Sequence, residues 1–299
     1  MNYLFTLVFI ITVQLSIAQT QYLDSIFSEV SITTHTYYTH KTDSLQLDYY
    51  RADTIQKNVP LIVYVHGGGF SGGQRNSKNI VDFATRLAQY GYAVASVSYK
   101  LTMKGIGFGC DTKTPKKIAA INSASHDVNI AIKYILDHNA TFNIDPNKVI
   151  IAGGSAGAEA VLNMAYTYQD DTLPADFKYA GVISLAGAVT SIDNIKHDTA
   201  IPTQLFHGTG DILVPYGIAP HHYCDSNNKG HLLLYGSDPI AKRLKGLGTP
   251  YYFYTIIGGT HSWAELPMVR CFDEVIDFLY HDIINPKFVR HTERTINKL

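Results

Sequence analysis

Charge is scarce in this 299-residue chain and cancels to almost nothing: 24 Lys and Arg stand against 25 Asp and Glu, a formal net charge of −1. Such a balance gives no field to draw in nucleic acid or an anionic membrane, so a partner has to be read from a site. Cysteine is also sparse, with only Cys110, Cys224 and Cys271. Three are too few for a disulfide scaffold, and none has the neighbours of a zinc ligand or a nucleophile. Two arrangements stand: one bridge with a free thiol, Cys224–Cys271 being the preferred pair, or three unpaired cysteines, because spacing alone does not fix connectivity. The 13 histidines include His221-His222, yet no Cys or His at ligand spacing accompanies them. Neither a metal nor a cofactor is expected. Repeats, low-complexity tracts and linkers are missing too, which excludes repeat architectures and points to a single domain.

No apolar run is long enough to span a bilayer comfortably. The run over residues 4–13 leads into Ser16-Ile17-Ala18, whose small first and third residues match a signal-peptidase site with cleavage before Gln19. The expected layout is a signal peptide over 1–18 and one domain over 19–299. That implies export to the periplasm or beyond, with no membrane-integral segment after cleavage. The n-region carries no Lys or Arg, so an uncleaved anchor is the alternative.

What is present is a pattern of buried strands and helices. Residues 32–39 and 44–50 alternate about the polar turn Lys41-Thr42-Asp43 and read as an antiparallel hairpin. Residues 60–66 form a continuous apolar run ended by glycines, as suits a strand buried on both faces. Further strands are expected over 92–99, 148–152, 179–186, 202–207 and 251–257. Helices are expected over 79–90, 123–138, 155–169, 239–247 and 266–283. Two stretches break the rhythm, 101–122 and 221–236, and long insertions of this kind often wall a binding site. An antiparallel start followed by strand–helix units argues for an α/β fold with a mostly parallel, doubly wound sheet. Ligands then bind beyond the carboxyl ends of the strands.

The chemistry-bearing residues fall at those ends. Gly153-Gly154-Ser155-Ala156-Gly157 follows a strand and opens a helix, a Gly-x-Ser-x-Gly turn whose small neighbours let strand and helix approach. The turn raises the Ser155 hydroxyl to a helix N-terminus, where developing negative charge is favoured. His66-Gly67-Gly68-Gly69-Phe70 follows the 60–66 strand, and its glycines can turn N–H groups toward an oxyanion. The N–H groups of Gly68, Gly69 and Ala156 are the candidate oxyanion hole. His66 itself has an ordinary explanation in a hydrogen bond within its loop. A serine needs a base, and the base an orienting acid. Asp211 follows the 202–207 strand within Gly208-Thr209-Gly210-Asp211, and His261 follows the 251–257 strand after Gly258-Gly259-Thr260. Asp193, Asp225 and Asp238 lack a buried strand with flanking glycines before them, and His207 and His231 read as structural or surface histidines. Phe70, Gly154 and Trp263 flank these groups and are candidates for substrate contact, with loop packing the equal alternative for the two aromatics.

These motifs resemble the α/β-hydrolase esterases of the hormone-sensitive-lipase-like and bacterial carboxylesterase type, over about residues 45–283. Within that group the chain is most similar to bacterial feruloyl and acetylxylan esterases, and the 236–248 stretch is similar to them as well. Two departures separate it from the lipases: Gly154 stands where an acidic residue is usual before the serine, and Ala158 where a second glycine is usual. Their N-terminal helical cap is also missing. The resemblance implies Ser155 as nucleophile, His261 as base and Asp211 as acid. It implies a small-molecule or polysaccharide-linked ester as partner, with short-chain, acetyl or feruloyl groups removed through an acyl-enzyme. Two other readings share the fold: a serine peptidase, for which no gating domain or acidic pair is evident, and a catalytically silent binding protein, which normally lacks a triad member.

Overall fold

The structure, a computed structural model, describes residues 20–40, 43–54 and 58–297. The expected signal peptide and its boundary with the domain lie outside the described residues.

Strand β1 (Val30–His40) pairs antiparallel with β2 (Asp43–Ala52). Alternation sets the faces, with Leu45, Leu47 and Tyr49 in one core layer and Tyr50 in the other. Next come β3 (Val59–Val65), α1 (Lys78–Gln89) and β4 (Ala93–Val97). Helix α2 (Thr114–Asp137) and the single turn α3 (Asn139–Phe142) lead to β5 (Ile144–Gly154) and α4 (Ala156–Tyr166). Strands β6 (Gly181–Leu185) and β7 (Thr203–Gly208) follow, then a short antiparallel pair, β8 (Ile218–Pro220) and β9 (Leu233–Tyr235). The chain closes with α5 (Ser237–Leu247), β10 (Tyr251–Ile257), α6 (Pro267–Arg270), α7 (Phe272–Phe278) and β11 (His291–Asn297).

Nine strands form one sheet in the order β1-β2-β4-β3-β5-β6-β7-β10-β11. The pairs from β4 to β11 are parallel, and β2 meets β4 antiparallel. Both sides of the sheet are covered. Ile80, Phe83 and Leu87 of α1 join Met268, Phe272 and Val275 of α6 and α7 on one side. Residues of α2, α4 and α5, such as Val128, Val161 and Ile240, cover the other. Strand β3 shows why its sequence is uniformly apolar: Leu61, Val63 and Val65 face one layer, Ile62 and Tyr64 the other. The chain winds from β3 outward to β4, then crosses back to β5 on the other side of β3. A crevice therefore opens at the carboxyl ends of β3 and β5, where the two glycine motifs sit.

Four expectations need correction. Helix α2 begins at Thr114 rather than 123, with Pro115 in its first turn, so the last nine residues of the expected 101–122 loop are helical. The closing helix is broken at Cys271 (φ −125°, ψ 32°), and its end widens to a π-helical turn over Leu279–Ile284. Strand β11 pairs with β10 from Tyr251↔His291 to Ile257↔Asn297; its polar, largely exposed side chains carry no buried-strand pattern. The disulfide joins Cys110 to Cys224, with Cα atoms 5.3 Å apart, and Cys271 is the free thiol. Cys271 is buried in the α1, α6 and α7 layer, whereas Cys110 and Cys224 belong to the two insertions that pack against each other. There Gly230 N–H donates to the carbonyl of Cys110 at 2.9 Å and Thr114 N–H to that of Lys229 at 3.0 Å.

Candidate active site

Ser155 stands between β5 and α4 with φ 53° and ψ −123°, a strained conformation for a residue with a Cβ. Its neighbours are small because backbone crowds them. A Cβ on Gly157 would lie 2.1 Å from the Val65 carbonyl oxygen, and one on Gly153 2.5 Å from the Gly157 backbone. The Ser155 N–H donates to Leu185 O at 2.9 Å, fixing the turn to β6.

The loops after β7 and β10 are laced together. Gly210 N–H donates to Gly259 O at 2.8 Å, Thr209 N–H to Ile256 O at 2.9 Å, and Gly258 N–H to Thr209 Oγ1 at 2.9 Å. Gly208 permits the contact, since a Cβ there would meet Gly259 O at 2.2 Å. The lacing brings Asp211 beside His261. Asp211 Oδ2 lies 2.7 Å from His261 Nδ1, and His261 Nε2 lies 2.7 Å from Ser155 Oγ. The other Asp211 oxygen accepts the N–H groups of Leu213 and Val214 at 2.9 and 3.1 Å. Burial favours the protonated form of Asp211, but hydrogen bonds and charge from His207 and His261 outweigh it, holding the carboxyl well below the usual carboxylate range.

The loop after β3 faces this chain of three. Gly68 has φ 116° and Gly69 φ 59°, both in the region that glycine reaches freely. A Cβ on Gly67 would come within 2.9 Å of Gly154 O, so the loop approaches the serine turn closely. The N–H groups of Gly68, Gly69 and Ala156 find no backbone acceptor among the described residues. His66 lies beneath, stacked on Tyr99 with Nδ1 2.7 Å from Gly67 O; burial pushes its pKa down.

A cavity of about 710 Å³ opens over Ser155 and His261 and is lined by Gly67, Gly68, Gly69, Gly154 and Ala156. The other two residues expected at the substrate lie elsewhere. Phe70 is fully buried against Tyr99 and Phe108, and Trp263 is buried in the α1, α6 and α7 layer. Each packs its loop, and Phe108 lines the cavity instead. His207 is fully buried: Nε2 lies 3.4 Å from Asp211 Oδ2 and 3.1 Å from Val214 O, and Nδ1 2.8 Å from Ser237 Oγ. It is structural, as expected, but its support of the acid is not visible in the sequence. Glu159 also lines the cavity; its only sequence signal is a lone charge on an apolar helix. Among the described residues no group of three His, Cys, Asp or Glu could hold a metal ion, and no helix is long and apolar enough to cross a membrane.

The BD-FAE family model matches residues 47–188, the stretch holding the glycine loop after β3 and the serine turn. Gut esterase 1 of Caenorhabditis briggsae is 29% identical over 119 residues, 40% of this chain and 20% of that protein. Chlorogenic acid esterase of Aspergillus niger is 27% identical over 140 residues, 46% of this chain and 25% of that protein. The matched part thus spans a fifth to a quarter of the length of these relatives. In three dimensions, a propionate-bound thermophilic esterase of Thermogutta terrifontis superposes with a TM-score of 0.62 at 16% identity, over 86% of this chain and 97% of that one. The chain therefore has the α/β-hydrolase fold and is related to esterases and lipases.

Proposed function

We propose that this protein is a carboxylic ester hydrolase working through an acyl-enzyme on Ser155, and that its substrates are short-chain, acetyl or feruloyl esters of plant polysaccharides. The observation that carries the reading is the unbroken chain Ser155 Oγ, His261 Nε2 and Nδ1, Asp211 Oδ2, with 2.7 Å at each contact. In the reaction His261 Nε2 takes the Ser155 proton as Oγ bonds to the ester carbonyl carbon. Asp211 holds the imidazole with Nε2 toward the serine and stabilises the imidazolium. The N–H groups of Gly68, Gly69 and Ala156 receive the oxyanion, whose charge also gains from the α4 N-terminus. The tetrahedral intermediate collapses as His261 returns its proton to the leaving alkoxide. Water, deprotonated by His261, then attacks the acyl carbon and frees Ser155 and the carboxylic acid.

The name of the Aspergillus relative, a chlorogenic acid esterase, supports hydroxycinnamoyl groups among the substrates. Export by residues 1–18 belongs to the same reading, and the Cys110–Cys224 bridge suits an oxidising compartment; intact-mass analysis of protein secreted by its host is expected to give Gln19 as first residue. Hydrolysis of p-nitrophenyl acyl esters and methyl ferulate by wild type and Ser155→Ala tests the activity. Turnover is expected in wild type and a loss of about 10⁴-fold or more in the variant. A folded wild-type protein inert toward every ester contradicts the reading.

A further inference from the structure

The cleft holds a second polar centre that the triad does not use. Glu159 lies one helical turn beyond Ser155 on α4, so its side chain rises from the same face. It lines the cavity together with His221, His222 and Phe108. Glu159 and His221 are each only 2% exposed. Among the described residues Glu159 Oε1 has no hydrogen-bond partner, and neither has His221 Nδ1. The two side chains approach at 3.6 Å, from His221 Nε2 to Glu159 Oε1, too far for a hydrogen bond. Lys117, also buried, does not complete the pair: its Nζ donates to Gly230 O at 2.8 Å. Buried polar atoms in folded proteins are almost always paired, and leaving them unpaired is costly. Here they stand in the wall of a substrate cleft, where a bound molecule can supply what is missing.

We propose that Glu159 and His221 form a specificity subsite for a substrate hydroxyl, carried either by the acyl part of the ester or by its alcohol part. The inference rests on the esterase reading and deepens it. A hydroxyl suits the two groups because it can donate to a carboxyl oxygen and accept from a ring N–H at once. A carbonyl offers only acceptance and an ammonium only donation. Burial pushes the Glu159 carboxyl up to about 8, so near neutral pH it can donate as well as accept. Phe108 stands edge-on to His221, with ring centroids 5.0 Å apart, and supplies an apolar flank for the carbon skeleton that bears the hydroxyl. The subsite is held in place before substrate arrives. Phe108 and His221 come from the two insertions, which the Cys110–Cys224 bridge ties together.

The test compares kcat/KM of the full-length protein on two matched pairs. Methyl 4-hydroxycinnamate against methyl cinnamate places the hydroxyl in the acyl part. Methyl 2-O-acetyl-xylopyranoside against its 3,4-dideoxy counterpart places it in the alcohol part. In one pair wild type is expected to favour the hydroxylated member by about 10-fold or more. Glu159→Leu is expected to erase most of that ratio and His221→Phe to lower it, while Glu159→Gln, which keeps both hydrogen-bonding capacities, retains it. Equal rates within both pairs for wild type overturn the subsite even if no variant folds, and so does a ratio that survives Glu159→Leu. Absence of turnover on all four esters is a different result and removes the esterase reading itself.

Discussion

His207 stands behind Asp211 as His261 stands in front of it: one carboxylate oxygen, Oδ2, lies 3.4 Å from His207 Nε2 and 2.7 Å from His261 Nδ1. The rear histidine is fully buried and fixed at its other nitrogen, 2.8 Å from Ser237 Oγ. It therefore holds the acid in place and helps to keep it ionised. Replacing it removes a partner that lowers the Asp211 pKa, so that pKa must rise. His207→Phe is expected to shrink the stability that the Asp211 carboxylate contributes above about pH 4 and loses as pH falls, so the Tm gap to wild type narrows between pH 5 and pH 2. It should also lower activity near neutrality roughly 10-fold, about 1.4 kcal/mol of transition-state stabilisation, because Asp211 is held less firmly behind His261. A Tm difference from wild type that stays constant between pH 5 and pH 2 contradicts this role.

The serine turn is limited by backbone contact rather than by side-chain packing. Gly157→Ala would place a Cβ 2.1 Å from the Val65 carbonyl oxygen, and neither β3 nor α4 can retreat without disturbing the core. A loss of about 1–3 kcal/mol or more is expected, read as a lower urea midpoint. Activity should fall as well, because the same shift moves Ser155. Gly246→Ala is the control, since a Cβ there meets nothing within 4 Å among the described residues.

The residues that carry local constraints were legible in the sequence. The glycines around Ser155, the run after His66 and the glycine pairs before Asp211 and His261 exist because backbone must touch backbone there, and composition records that need. The hairpin and the buried strands were legible for the same reason, since alternation or uniform apolarity follows directly from which faces are covered. Features set by distant contacts were not. The partner of Cys224 depends on how two insertions fold against each other, and β11 is held by backbone pairing with β10 rather than by its own polar side chains. Phe70 follows Gly69 and Trp263 lies two residues after His261, yet their side chains turn into the core. The support His207 gives to Asp211 depends on β7 and its following loop returning to one point.

The disulfide spans 114 residues of chain, so its removal releases a large loop in the unfolded state. Cys110→Ser/Cys224→Ser is expected to lose about 2–4 kcal/mol of stability, seen as a lower Tm by calorimetry. Thiol titration gives an independent check. Native protein should react slowly, because Cys271 is buried and its thiol is pushed up to about 12, chiefly by burial. Protein unfolded without reductant should show one thiol; three would contradict the bridge.

Glu159 makes stability depend on pH. Its folded pKa of about 8 lies above the ordinary carboxylate value, about 4.3 in an unfolded chain. The folded protein thus keeps a proton that the unfolded chain has released. The resulting stability is fully present below about pH 4 and is lost as pH rises toward 8. Glu159→Gln removes this dependence. The Tm of the variant relative to wild type is expected to increase between pH 5 and pH 8, and a constant difference would contradict a carboxyl raised by burial.

The central claim is that Ser155 is the nucleophile, and trapping the protein with an ester mimic tests it most directly. Wild type and Ser155→Ala are treated with a fluorophosphonate, digested and mapped by mass spectrometry, with p-nitrophenyl acetate hydrolysis followed in parallel. The expected result is one adduct, on Ser155, formed as hydrolysis disappears, with neither adduct nor hydrolysis in the variant. An adduct on another residue, or hydrolysis by Ser155→Ala at the wild-type rate, would contradict the account.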